Sequence, residues 1–494
     1  MGEPWYKKKF RRSLLDMHID DWHPEFLRRF DPEEIFEHLK LANVNAPMLY
    51  VQSHVGYCYW PTRSGRMHSA FRGREDMMKR LFDLCRADGM DVILYYSLIF
   101  NNCAYDDHPE WRMRDVAGRG SRDTGSRYGL VCPNNAEYRA FVSEQIREFC
   151  EYFEFSGVFF DMTFWPMVCY CDACRGRWRQ EAGGEMPTVI DWNDDRWNLF
   201  DRKRHEWIGE FARFATDELK KHKPHCSVEH QYAQSLSFWR YAGSENVAEA
   251  SDYIGTDLYG GLGEQSFACK AWYNLTKNMP FQYMTSRCYP DLSEHTTTKS
   301  EDLMRLSAMM TYLHHGACLF IDGIDPAGTT DRRAYERMGP GLPGNGAVRS
   351  VFHAGRNGLR RRRLFQSVRE NGHREKRRSA FLPGGGEPGD AAFRRRAGRV
   401  PGAPQAPCAV YRAPKLPAGF AGEGEGAGVV RRAAHGQGGN PGRAALRRSR
   451  RRVVSQRALG AGNCAGSVRR GMGGAHRGND HVHGAGAGVR RDAG

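Results

Sequence analysis

The sequence predicts a (β/α)8 barrel over residues 10–338, followed by a basic segment of different character over 339–494. Eight short apolar runs alternate with stretches of helical spacing, the pattern of a parallel sheet wound with crossover helices. The runs are apolar almost throughout, which suits strands covered on both faces. The composition then changes abruptly near Met338, which sets the boundary.

In chain order the candidate strands are residues 13–19 (SLLDMHI), 47–52, 91–97 (DVILYYS), 157–161 (GVFFD), 226–230 (CSVEH), 252–257 (DYIGTD), 281–286 (FQYMTS) and 317–322 (ACLFID). Between the first two lies DPEEIFEHLKLANV, with Asp31 as N-cap and Pro32 at the first helical position. REDMMKRLFDLCRADG ends in glycine, and NNAEYRAFVSEQIREFCEYF leads into the fourth run. RWNLFDRKRHEWIGEFARFATDELKKH and SEDLMRLSAMMTYLHHG have the same spacing. Each run ends in polar or aromatic residues: His18 and Asp20, His54, Tyr96 and Ser97, Asp161, Glu229, Asp257, Arg287, Asp322. Barrel active sites lie at the carboxyl ends of the strands, so chemistry is expected there. Taken singly, each of these residues is equally well explained as a strand-ending cap.

The formal charge of +15 over 494 residues suggests a nucleic-acid partner, but its distribution does not. Residues 341–494 hold 31 of the 73 Lys and Arg and 8 of the 58 Asp and Glu, so the barrel itself is mildly acidic. All 11 Trp precede residue 341, and 32 of the 55 Gly follow it. The last third therefore lacks the apolar surface to offset its ordering entropy. The change falls inside the helical pattern DRRAYERMG and reverses the sign of the charge. Out-of-frame translation of a GC-rich gene accounts for both, because such codons give mostly Arg, Gly, Ala and Pro. A disordered basic arm is the alternative. The N-terminus has no apolar signal core, and no run approaches the roughly 20 apolar residues of a membrane span. A cytoplasmic protein with reduced thiols is expected, with no membrane partner and with a homo-oligomer allowed.

Glycoside hydrolysis needs two carboxyl groups flanking the scissile bond, roughly 5–5.5 Å apart in a retaining enzyme. Asp161, at the tip of the fourth run, is placed to be the nucleophile and must be held ionised. Glu229, ending the next run and adjacent to Asp161, is the candidate acid/base that would protonate the leaving oxygen, with Asp257 of the sixth run as alternative; an apolar setting would raise the pKa of either. Trp22, Tyr57, Tyr59, Trp60, Tyr95, Tyr96, Phe164 and Trp165 supply rings for stacking on sugar faces, although each ring alone reads more simply as packing.

FDPEEIFEHLKLANVNAPMLYVQSHVGYCYWPT resembles the region of family 29 α-L-fucosidases where a strand enters a His-His-Asp-Gly-Phe motif followed by Trp. His54, Gly56, Tyr57 and Trp60 take those places, while Ser53 and Val55 replace the first His and the Asp. DVILYYS is similar to the family's third strand, with Tyr96 in the sugar-contacting position. The segment ending in GVFFD is similar to the fourth strand, whose terminal Asp is the nucleophile; Phe159 stands where the family has Trp. The resemblance, over roughly 10–165, implies that Asp161 is the nucleophile and that His18 binds sugar. It does not extend to the acid/base.

Cys169-x-Cys171-x-x-Cys174 supplies three thiols, and Cys132, in LVCPNNAEYR, is the candidate fourth, with Cys103 as alternative. Four thiolates make a closed, structural zinc site; free buried thiols are the plain alternative. The spacing resembles the zinc cluster of family 42 β-galactosidases, which have a Cys-Pro upstream. That family's Glu pair has no counterpart here. The expected protein is thus a retaining, α-L-fucosidase-like glycoside hydrolase acting on an oligosaccharide or glycoside. His18, His54, Trp60, Tyr96, Phe159 and Arg287 would bind the substrate, with structural zinc and no organic cofactor. The alternatives are a non-catalytic carbohydrate-binding barrel, a β-galactosidase-like hydrolase and a zinc-dependent hydrolase.

Overall fold

The structure is a computed structural model that describes residues 3–232, 239–243 and 245–342. All lie in the first of two compact units, Met1–Gly389. The second unit, Asp390–Gly494, and with it nearly all of the predicted basic segment, lies outside the described residues.

Eight parallel strands form the barrel: β1 (Arg11–Asp16), β2 (Ala46–Gln52), β3 (Ile93–Ser97), β4 (Gly157–Asp161), β5 (Ser227–His230), β6 (Gly255–Asp257), β7 (Gln282–Ser286) and β8 (Ala317–Gly323). Neighbours run β5-β4-β3-β2-β1-β8-β7-β6. Each strand falls on its candidate run. β1 starts and stops earlier than predicted, which leaves His18 in the loop beyond it. The cylinder closes between β5 and β6 through one bridge, Gln231 to Gly255. There the Tyr232 N–H donates to the Gly255 carbonyl at 3.2 Å.

Outside the strands lie α1 (Pro32–Leu41), α2 (Met77–Ala87), α3 (Asn102–Asp107), α4 (Ala136–Tyr152), α5 (Asp172–Ala182) and α6 (Asp195–His222). α7 (Glu245–Ala250), α8 (Leu262–Leu275), α9 (Glu301–Leu313) and α10 (Arg332–Gly341) complete the ring. Their starts are sequence-encoded. The side chains of Asp31, Asn135, Asp194, Ser300 and Asp331 each accept a first-turn N–H. Such a cap contributes about 1 kcal/mol. α10 continues past the predicted break at residue 338 to Gly341, and Met338 and Leu342 are buried. No helix of the described residues is long and apolar enough to cross a membrane.

The floor of the barrel is polar. Arg12 points inward from β1, donates to Gln282 Oε1 at 2.7 Å and to the Tyr6 carbonyl at 3.2 Å, and lies 5.0 Å from the Trp5 ring centre. Glu229 joins this network, accepting from Gln282 Nε2 at 3.0 and 3.1 Å. Its carboxylate fills the space that a Cβ at residue 255 would need, so glycine is required there.

Candidate active site at the carboxyl ends of the strands

Strand alternation decides which side chains reach the mouth. Tyr50 and Tyr95 are register partners on β2 and β3, and both point into the barrel. Their rings stack 3.6 Å apart with 11° between planes. Each hydroxyl is spent on a carboxylate: Tyr50 donates to Asp16 Oδ1 at 2.6 Å, and Tyr95 donates to Asp161 Oδ2.

Asp161 ends β4 and is 6% exposed. Its Oδ1 accepts the Met162 N–H at 2.8 Å. Met162 itself has φ of +57°, a left-handed conformation uncommon outside glycine, at which the chain turns as it leaves β4. Burial, then the charge of Asp257, pushes Asp161 up to about 7, against the pull of Tyr95 and Met162.

His54 sits beside it, Nε2 3.8 Å from Asp161 Oδ2. Its Nδ1 is 2.8 Å from Ser97 Oγ, and that hydroxyl donates to the Phe100 carbonyl at 2.9 Å. The proton of the neutral ring is therefore on Nδ1, and Nε2 presents a lone pair to Asp161. Burial, then the neighbouring His18 and Arg127, holds His54 well below its ordinary pKa, so the ring is neutral. Its Nε2 is an acceptor that can serve a hydroxyl, and the neutral ring cannot neutralise the ionised carboxylate. His18 stacks on His54 at 3.9 Å, accepts the His54 backbone N–H at Nδ1 (3.3 Å) and reaches Asp16 Oδ1 from Nε2 at 3.0 Å. Burial opposes the charge on Asp16, but His18 and Tyr50 hold it below the usual carboxylate range.

Asp257, at the end of β6, is the second carboxylate. Oδ1 accepts from Gln231 Nε2 at 2.9 Å and Thr256 Oγ1 at 3.1 Å, and Oδ2 accepts from the Tyr259 hydroxyl at 2.8 Å. Tyr128 and Phe100 form the aromatic side of the mouth, 5.1 Å from the His54 ring centre in both cases.

The structure thus brings Asp161, Asp257, His18 and His54 together and separates the other sequence-predicted residues from them. Glu229 is wholly buried on the barrel floor in register with Phe159, one layer below Asp161. Burial pushes it up to about 8 against the pull of Arg12, with a smaller push from the charge of Asp161 above it, and it accepts its hydrogen bonds from Gln282 of the floor. Tyr96 points outward, against Phe149 of α4 at 5.5 Å; its neighbour Tyr95 takes the inward position. Trp60 is buried behind the wall against Phe149 and Phe153. Phe159 faces inward but packs on Tyr95 beneath the carboxylate. Arg287 is committed to Asp322 at 2.6 Å and to Thr298 at 3.0 Å. Among the aromatics weighed for stacking, Tyr59 is fixed to the Met17 carbonyl and Trp165 to the Arg204 carbonyl, while Trp22 is 74% exposed. Asp16, Tyr50, Gln231, Tyr259 and Tyr128 were not singled out by the sequence; the two-residue period of β2 and β3 is the signal that finds Tyr50 and Tyr95.

The cysteine cluster lies beside this site. The sulfurs of Cys132, Cys169, Cys171 and Cys174 all lie within 4.8 Å of one another, and all four residues are buried. Cys132 and Cys174 are 3.4 Å apart. A tetrahedral metal with about 2.3 Å bonds to sulfur sets sulfurs about 3.8 Å apart, so the four thiols fit one ion. Cys103 is elsewhere, its thiol on the Val55 carbonyl at 3.3 Å. Backbone bonds from Tyr170 N–H to the Arg114 carbonyl (2.7 Å) and from Cys132 N–H to the Trp111 carbonyl (2.8 Å) bind the same two loops together.

Residues 31–162 match the family described as Hypothetical glycosyl hydrolase 6, a span that runs from the cap of α1 to just past Asp161. No curated protein sequence matches the chain. Among solved structures, α-L-fucosidase isoenzyme 2 from Paenibacillus thiaminolyticus superposes with a TM-score of 0.57 at 20% identity, over 71% of this chain and 50% of that one. The PgaB (BpsB) glycoside hydrolase domain from Bordetella bronchiseptica gives 0.53 at 13% identity, over 66% of this chain and 98% of that domain. A β-galactosidase from Rahnella sp. R3 gives 0.51 at 15%, over 70% and 57%. The chain spans about half the length of the fucosidase. The chain thus carries a glycosyl hydrolase family segment over residues 31–162, within a barrel whose fold it shares with these structures.

Proposed function

We propose that the barrel is a retaining glycoside hydrolase acting on an α-L-fucoside or a similarly configured sugar, with Asp161 as nucleophile and Asp257 as acid/base. The observation that carries this reading is the pairing at the strand ends. Asp161 has both oxygens fixed by Tyr95 and Met162, and Asp257 stands across Gln231 from it. In the forward step Asp161 attacks the anomeric carbon while the carboxyl of Asp257 gives its proton to the leaving oxygen; water activated by Asp257 then releases the sugar. His54 Nε2 and Tyr128 are placed to orient hydroxyls. The fucosidase-like fold supports the sugar class.

A second assignment exchanges the roles. Asp161 is the group pushed up to about 7, which suits an acid, and Asp257 accepts three hydrogen bonds that hold its carboxyl group in place. A mechanism-based 2-fluoro-glycoside label followed by peptide mapping separates the two: the label falls on Asp161 in the first and on Asp257 in the second. If a panel of aryl glycosides yields no hydrolysis at all, the carbohydrate-binding alternative replaces both.

The four thiols are proposed to hold zinc. With all four positions taken by sulfur, the ion would brace the loops of Cys132 and Cys169–Cys174 and take no part in the reaction. We also assign residues 339–494 to out-of-frame translation. A patterned sequence in another frame of the gene supports this, and its absence from both other frames rejects it.

A further inference from the structure

The Gln231 side chain bonds both to Asp257 and to the N–H that Asp161 accepts. It follows β5 and carries the bridge that closes the barrel against Gly255. It is 5% exposed, and its main-chain N–H is fixed to the Phe160 carbonyl at 3.0 Å. Its amide is used at both ends: Nε2 donates to Asp257 Oδ1 at 2.9 Å, and Oε1 accepts the Met162 N–H at 3.1 Å. That same N–H donates to Asp161 Oδ1 at 2.8 Å.

We propose that Gln231 is the positioning residue of the carboxylate pair: its carbonyl oxygen draws a shared N–H partly away from Asp161, while its amide hydrogen is given to Asp257. The inference rests on the reading of Asp161 and Asp257 as the reacting pair. The direction follows from the geometry. An amide has one donor end and one acceptor end, and the Met162 N–H, shared between Asp161 Oδ1 and Gln231 Oε1, fixes which end faces which acid. Gln231 therefore withholds stabilisation from one anion and supplies it to the other. Turning the amide over would set its NH2 against an N–H and its oxygen against a carboxylate, so one orientation alone is satisfied.

Other charged and titratable groups face the pair and stay constant in the test. His18, His54, Tyr95 and, from below, Glu229 act on Asp161. Tyr259 and Tyr283 face Asp257.

The experiment is a titration of the carboxyl carbons by NMR in the full chain labelled with 13C-aspartate, assigned through D161N and D257N, in wild type and Gln231→Leu. Leucine takes away both contacts. The expected result is that the Asp257 midpoint rises and the Asp161 midpoint falls, each by about one pH unit, tenfold in proton affinity. Unchanged midpoints, or midpoints moving in the same direction, overturn the proposal. If Q231L does not fold, Q231M keeps the unbranched shape without either amide end; its Asp257 midpoint must still rise and its Asp161 midpoint fall. In kcat/KM against pH the two limbs move apart, whereas a merely structural role lowers the plateau and leaves both limbs in place. Failure of the underlying reading has its own signature, since a D161N protein that still hydrolyses aryl glycosides rejects the pair whatever Q231L does.

Discussion

Replacing Asp161 by Asn separates chemistry from stability in one variant. The side chain is buried, and its carboxyl is pushed from 3.8 to about 7 by burial and by Asp257. Because the folded-state pKa is raised, the folded protein keeps a proton that the unfolded chain has released between these two values. Stability therefore falls as pH rises from about 4 to 7, and the full cost of the buried charge is present above 7. About three pH units at 1.36 kcal/mol each give roughly 4 kcal/mol. Asn has the same shape, still accepts the Met162 N–H, and never ionises. D161N should lose turnover altogether. It should also unfold at higher urea than wild type at pH 8, with the gain shrinking to near zero by pH 4. The assay is urea unfolding of both proteins at pH 4, 6 and 8, alongside aryl-glycoside hydrolysis. A stability difference that is the same at all three pH values refutes the electrostatic argument, and wild-type turnover refutes the assignment.

The neighbouring tyrosines should behave oppositely: Tyr95→Phe removes a donor from Asp161 and should shift its midpoint upward by about one unit or more, whereas Tyr96→Phe, facing α4, should leave the pH profile unchanged. Glu229→Gln should retain turnover, because that carboxyl lies in the floor network with Arg12 and Gln282; loss of activity in a folded E229Q protein would return Glu229 to the mechanism. Purified protein should contain about one zinc per chain by elemental analysis. Cys171→Ser should lose the metal and lower the melting temperature while D161N keeps it; full metal content in C171S excludes the cluster as the site.

The barrel was legible because each strand is a compact apolar run and several helix starts carry their own capping side chain, as Asp31 and Ser300 show. The thiol cluster was legible because three of its members fall within six residues and the fourth precedes the helix leading into the same strand. What failed was the assignment of faces. Tyr95 and Tyr96 are chemically alike, and only the register of β3 against β4 decides which one meets Asp161. Glu229 lies one residue before His230, and Gln231 one residue after. An acid at that point in the run reads as a strand end, but the strand pairs one residue further, through Gln231. Depth along a strand is set by its partners and does not appear in its own residues. Arg287 illustrates a related gap, since its counter-ion Asp322 lies on the adjacent strand, 35 positions later.

The seam between β5 and β6 links folding to reactivity. Seven of the eight strand junctions are held by ladders; this one rests on a single bridge, a main-chain bond from the Asp252 N–H to the Val228 carbonyl at 2.7 Å, and side chains, and its bridging residue also carries the donor for Asp257. A cylinder latched beside Asp257 and Asp161, the proposed reacting pair, cannot loosen there without disordering them. Damage to the latch should thus appear first as lost catalysis, in a protein whose spectra still report a complete barrel.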